Sequence, residues 1–193
     1  MLRHAASSGS RAGRRDSGFH SRPAAPTRSL PAPVVVVGLG NEIAGDDGAG
    51  IHAVRVLEEE LADDPDVDVI ALPWGGLALL DVLRDRKRAA LIDCLVTGEH
   101  PPGTVVRLDE SDFRGSVRLN SFHDISFPAA LDLGRELGWE LPSEVAIWGI
   151  EAGDADVFTE QLTPPVAAAV HEVVHAVARF LRNRDGPPPN SME

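Results

Sequence analysis

A single cysteine, Cys94, is present among 193 residues. No internal disulfide can form, which suits a reducing cytoplasm, the expected location. No window approaches 18 consecutive apolar residues, so no membrane-crossing helix is expected. Basic residues are scarce beyond the first 33 positions. Residues 1–33 hold six arginines and one acid, Asp16, which leaves 12 basic against 29 acidic residues in the remainder, a net charge of −17. A body this acidic should repel nucleic acid and anionic membrane. Neither is an expected partner; a basic protein or a cation is.

The apolar fraction, 43 %, is enough for one core. Residues 1–33 are rich in Ser, Ala, Arg and Pro without apolar periodicity and are expected to be disordered. Arg14 and Arg15 lack the apolar stretch that a twin-arginine export signal needs. An organelle transit peptide and a true start further along the chain both stay open. Residues 183–193, with Gly186 followed by three prolines, are expected to form a disordered tail. One domain is expected over 34–182.

Within it, Val34 to Val37 reads as a buried strand ending at Gly38. Asp46 and Asp47 open a helix to about Leu61, with Ile51, Val54, Leu57 and Leu61 at helical spacing. Strands follow at 66–72 and 89–93, with a short helix, Leu77 to Leu83, between them. Residues 104–108 alternate like an edge strand. A helix is expected near 125–137, a strand at 144–150, and a last helix from Thr163-Pro164, where proline suits the first turn. This alternation predicts an α/β fold: a single domain with a mainly parallel twisted sheet and helices on both faces.

Ligands of such sheets sit at the carboxyl ends of the strands. The loop after the first strand leads to Asp46 and Asp47, Asp93 ends the third strand, and His123 lies in the loop after the edge strand. Two carboxylates and an imidazole suit a borderline metal with open positions. Each residue also has an ordinary reading. An aspartate pair at a helix start caps and complements the dipole, a strand-end aspartate forms turns, and a lone loop histidine needs no role.

Three other motifs carry less. Gly38-Leu39-Gly40 begins a dinucleotide fingerprint, but Ile43 stands where the third glycine belongs and two aspartates would repel a pyrophosphate. His171-Glu172-Val173-Val174-His175 spells the zincin motif. Yet Val166, Val170, Val173, Val174, Val177, Phe180 and Leu181 share one helical arc, and both histidines fall roughly opposite it. Cys94 follows Asp93 in a strand, so the two should point to opposite faces. A buried small hydrophobe is the expected role of Cys94.

The segment Gly38-Leu39-Gly40-Asn41, continuing through Asp46, Asp47 and Gly50, resembles the N-terminal signature of hydrogenase maturation proteases. In order, Leu91-Ile92-Asp93, Pro102-Gly103-Thr104, Ser121-Phe122-His123 and Leu162-Thr163-Pro164 with Val166 resemble later segments of that family, over about residues 34–182. The resemblance implies an endopeptidase that removes the C-terminal extension of a [NiFe] hydrogenase large-subunit precursor once nickel is in place. It places nickel recognition and catalysis on Asp47, Asp93 and His123. The metal would be nickel, carried by the substrate rather than held permanently, and the partner would be that precursor. A metal there would polarise the scissile carbonyl or activate a water; the catalytic base stays open. Asp46 would accept a proton or cap its helix, with capping preferred. The long basic N-terminus and Trp74 are outside the family pattern. A noncatalytic nickel-loading checkpoint or chaperone using the same residues is the alternative.

Overall fold

The computed structural model describes residues 30–73, 75–108, 127–155 and 157–183. The sheet order is β2-β1-β3-β5-β4, formed by β1 (Val34–Leu39), β2 (Val67–Leu72), β3 (Arg88–Leu95), β4 (Val105–Leu108) and β5 (Glu144–Glu151). β2, β1, β3 and β5 run parallel, and β4 pairs antiparallel with β5 at the edge. The expected mainly parallel α/β sheet is therefore the observed one.

Among the described residues, four helices cover the sheet: α1 (Ala49–Glu60), α2 (Leu77–Leu83), α3 (Phe127–Glu136) and α4 (Pro164–Arg182). Strand alternation sorts the core into two layers. Val36, Ala90, Ile92, Trp148 and Ile150 meet α1 and α4 through Val54, Leu57, Val170 and Val174. Val35, Val37, Leu91, Leu95 and Ile147 meet α2 and α3 through Leu79, Leu83, Phe127 and Leu131. On α4, Val166, Val170, Val173, Val174 and Val177 are buried. Each such side chain contributes roughly 1.5–3 kcal/mol relative to exposure, which fixes the rotation of the helix.

At the amino ends of the strands, charged groups close the sheet. Arg86 is buried, pairs with Asp68 and donates to the Ala32 carbonyl at 2.8 Å. Arg88 pairs with Glu144 at 2.6 Å and lies over the Phe180 ring.

A local departure among the described residues lies after β1. Asp46 and Asp47 do not begin the α-helix. They sit in a separate 3-10 turn, Gly45–Gly48, and α1 starts at Ala49.

Candidate active site

The strand order reverses direction at β1. From β1 the chain passes outward through α1 to β2, then returns beneath β1 through α2 to β3. Parallel sheets open a crevice at such a switch point, at the carboxyl ends of the two strands. Here those ends belong to β1 and β3.

Glycines let the 3-10 turn and α1 press onto that edge. A Cβ on Gly50 would fall 2.2 Å from the Leu39 carbonyl oxygen and 2.5 Å from that of Ile92. Gly40 has φ +143°, and a Cβ there would fall 2.0 Å from the Asp47 carbonyl oxygen. That carbonyl also accepts from the Asn41 N–H at 3.3 Å. The glycine spacing after β1 is thus a backbone close-packing device that seats Asp47 against the strand ends.

Among the described residues, four carboxylates are buried on this edge: Asp46, Asp47, Asp93 and Glu151. Asp93 has the strand parity of Leu91 and Leu95, so it points to the α2–α3 face. Its Oδ1 accepts from the Cys94 N–H at 2.9 Å. Cys94 has the opposite parity and is fully buried. Burial first, and then the charges of Asp93, Asp47, Asp46 and Glu151, push its thiol far above the usual range. Cys94 therefore stays protonated, as its reading as a small buried hydrophobe requires, and the same effect places all four acids within electrostatic reach of one atom.

Asp46 differs from its expected role. It does not cap its own helix. Its carboxylate accepts four hydrogen bonds from the far side of the edge: from the Gly153 N–H at 2.8 Å, the Asp154 N–H at 2.9 Å, the Thr163 N–H at 2.7 Å and the Thr163 hydroxyl at 2.8 Å. Asp46 is a clamp that fixes the 3-10 turn to the loop after β5 and to the start of α4.

Glu151 went unnoticed in the sequence. It accepts from the Thr97 N–H at 2.9 Å, the Gly98 N–H at 2.7 Å and the Thr97 hydroxyl at 2.7 Å. It thereby holds the loop that leaves β3 just after Asp93. The available signal was an acid ending the buried apolar strand 145–150. His52 was also passed over. One turn into α1 and packed beside Gly48, its Nε2 is buried without a hydrogen-bond partner.

Asp47 and Asp93 are therefore delivered to one edge by β1 and β3. His123 lies outside the described residues, as do Ser121, Phe122 and Trp74. Among the described residues no three His, Cys, Asp or Glu side chains are grouped to hold a metal ion. His171 and His175 are exposed on α4, opposite its valine face, and face no cleft among the described residues.

Comparison with known proteins points the same way. Residues 51–180 match the model of the hydrogenase maturation protease family. The hydrogenase expression/formation protein HoxM of Cupriavidus necator is 27 % identical over 158 residues, spanning 80 % of this chain and 77 % of its own. The corresponding HupD of Bradyrhizobium diazoefficiens is 29 % identical over 143 residues, 73 % of each chain. Among solved structures, the hydrogenase-maturating endopeptidase HybD of E. coli superposes with a TM-score of 0.59 at 25 % identity, covering 77 % of this chain and 91 % of that one. The [NiFe] hydrogenase maturation protease HybD of Thermococcus kodakarensis gives 0.57 at 25 % identity, covering 76 % and 97 %.

Proposed function

This chain belongs to the hydrogenase maturation protease family, and from that premise we propose that it removes the C-terminal extension of a [NiFe] hydrogenase large-subunit precursor, reading the substrate's nickel with Asp47, Asp93 and His123. The observation that carries this reading is the convergence of Asp47 and Asp93, both buried, on the switch point between β1 and β3. Buried carboxylates crowded together are costly unless a cation or hydrogen bonds compensate them. Asp46 and Glu151 are compensated by backbone and hydroxyl donors. Asp93 also accepts one such bond, from the Cys94 N–H; Asp47 and Asp93 are singled out by their place at the switch point and by the family resemblance, and two carboxylates there suit an arriving cation.

With His123 they form a two-carboxylate, one-imidazole set, which suits a borderline divalent metal and leaves open positions for a carbonyl or a water. The nickel travels with the substrate and is read when the precursor docks. Its charge would stabilise the oxyanion that develops as water adds to the scissile carbonyl, while the amine of the extension leaves with a proton. The chain's own part is to hold the acids still: the Asp46 clamp fixes the turn that carries Asp47, and strand pairing fixes Asp93.

Incubation with nickel-loaded precursor, read by intact mass, tests the proposal. Loss of a C-terminal peptide is expected. A complex that forms with no change in precursor mass would instead make the chain a loading checkpoint.

A further inference from the structure

Seven large apolar side chains are exposed among the described residues. Two of them, Leu30 and Leu137, lie toward the amino ends of the strands. The other five are Ile43 after β1, Leu77 after β2, Val96 after β3, and Val157 and Phe158 after β5. Every one of these stands in a segment leaving the carboxyl end of a parallel strand, on the edge that holds the buried acids.

The densest part joins the loops after β1 and β5. Ile43 and Phe158, 39 % and 84 % exposed, line one surface groove of about 330 Å³ together with Thr159, Glu160 and Gln161. Val157, 47 % exposed, adjoins it, and its carbonyl oxygen would be 3.4 Å from a Cβ on Gly45. The two loops are tied together: the Gly45 N–H donates to the Thr159 carbonyl at 2.8 Å and the Asp46 N–H to the Asp154 carbonyl at 2.9 Å. A fully presented phenylalanine costs solubility and contributes nothing to the core, so its position asks for a partner.

We propose that Phe158, with Ile43 and Val157, is an apolar anchor that docks on the folded body of the protein substrate and aligns its C-terminal segment with Asp47 and Asp93. The inference rests on the proposed proteolytic reading for the identity of that substrate. Charge and position select this occupant. The chain carries a net charge of −12, which opposes a second copy and an anionic membrane alike. A second copy seated on Phe158 would also cover the edge that must receive the chain to be cut. Aromatic residues presented in this way are the usual anchors of protein interfaces.

The test is binding of nickel-loaded precursor to the Asp93→Asn variant, with and without Phe158→Ser, by surface plasmon resonance. Phe158→Ser should weaken Kd about tenfold or more and leave the unfolding temperature unchanged, because the side chain is exposed. Ile43→Thr, in a different loop, should weaken it in the same direction. Equal Kd values with and without Phe158→Ser would overturn the proposal. So would a concentration-dependent dimer of the chain alone that Phe158→Ser dissolves, which would make the patch a self-interface. Sedimentation with phosphatidylserine vesicles that Phe158→Ser abolishes would likewise overturn it. Cleavage by the wild-type chain is read separately, so precursor that binds through Phe158 yet is never shortened would defeat the proteolytic reading and leave the anchor standing.

Discussion

Thr163 gives both its N–H and its hydroxyl to Asp46, at 2.7 and 2.8 Å, across 117 residues of chain. As the residue before α4 it stands where a hydroxyl ordinarily caps the helix, yet it makes no side-chain cap bond there. Its hydroxyl serves the clamp instead. Asp46→Ala would strand four donors, each costing about 1–3 kcal/mol when left buried and unpaired. A total loss of about 3–5 kcal/mol is expected, because the exposed Gly153 and Asp154 can recruit water. For a domain of this size that lowers the unfolding temperature by roughly 6–20 °C. Thr163→Val removes one of the four bonds and should cost only about 0.5–1.5 kcal/mol. Calorimetry on both variants checks the ranking; an Asp46→Ala protein as stable as wild type would refute the clamp.

Cys94 should be chemically silent in the folded protein. Burial and the neighbouring acids raise its thiol far above the ordinary range, so no thiolate is available near neutral pH. Alkylation by iodoacetamide should proceed only at the rate of unfolding, and Cys94→Ala should retain processing. The raised value also has a sign in stability. The unfolded thiol ionises above about pH 8.5 while the folded one does not, so its contribution is complete below that pH and declines as pH rises further. Cys94→Ala should flatten the alkaline limb of a stability–pH curve; an unaltered limb would contradict the assignment.

His171 and His175 belong to the wet face of α4. Exposed residues away from special features change stability by about 0.5 kcal/mol or less. The double variant His171→Ala with His175→Ala should fold normally and process precursor at the wild-type rate. A dead double variant beside an active His123→Ala would move the chemistry to the last helix.

The sequence carried the fold at the level of periods and ends. The valine run of β1, the helical arc of α4 and the alternation of β4 each lie where their patterns placed them, because a strand or amphipathic helix is a local property read over a few residues. The edge strand β4 was legible as an alternating segment, but its antiparallel direction and the seating of Asp47 against Gly40 came only from the structure. The role of Asp46 was not. Its donors lie 107, 108 and 117 residues away, and an aspartate before a helix carries a strong local expectation of capping that tertiary contacts overrode. Glu151 was hidden for the same reason, since its partners Thr97 and Gly98 come from another strand's loop. The expectations for residues 1–29, for His123 and for the tail from residue 184 lie outside the described residues.

The proposed function assigns the reading of substrate-borne nickel to buried Asp47 and Asp93 together with His123. Its most direct test sets nickel-loaded against nickel-free precursor, each mixed with wild-type chain, Asp47→Asn, Asp93→Asn or His123→Ala, with cleavage followed by intact mass. Asparagine keeps the shape and removes the charge, and the unfolding temperature of each aspartate variant checks that the fold is intact. Wild type should shorten only the loaded precursor, and each variant should lose about a hundredfold or more in rate. Equal cleavage of both precursors, or an Asp93→Asn protein that cuts at the wild-type rate, would contradict this assignment.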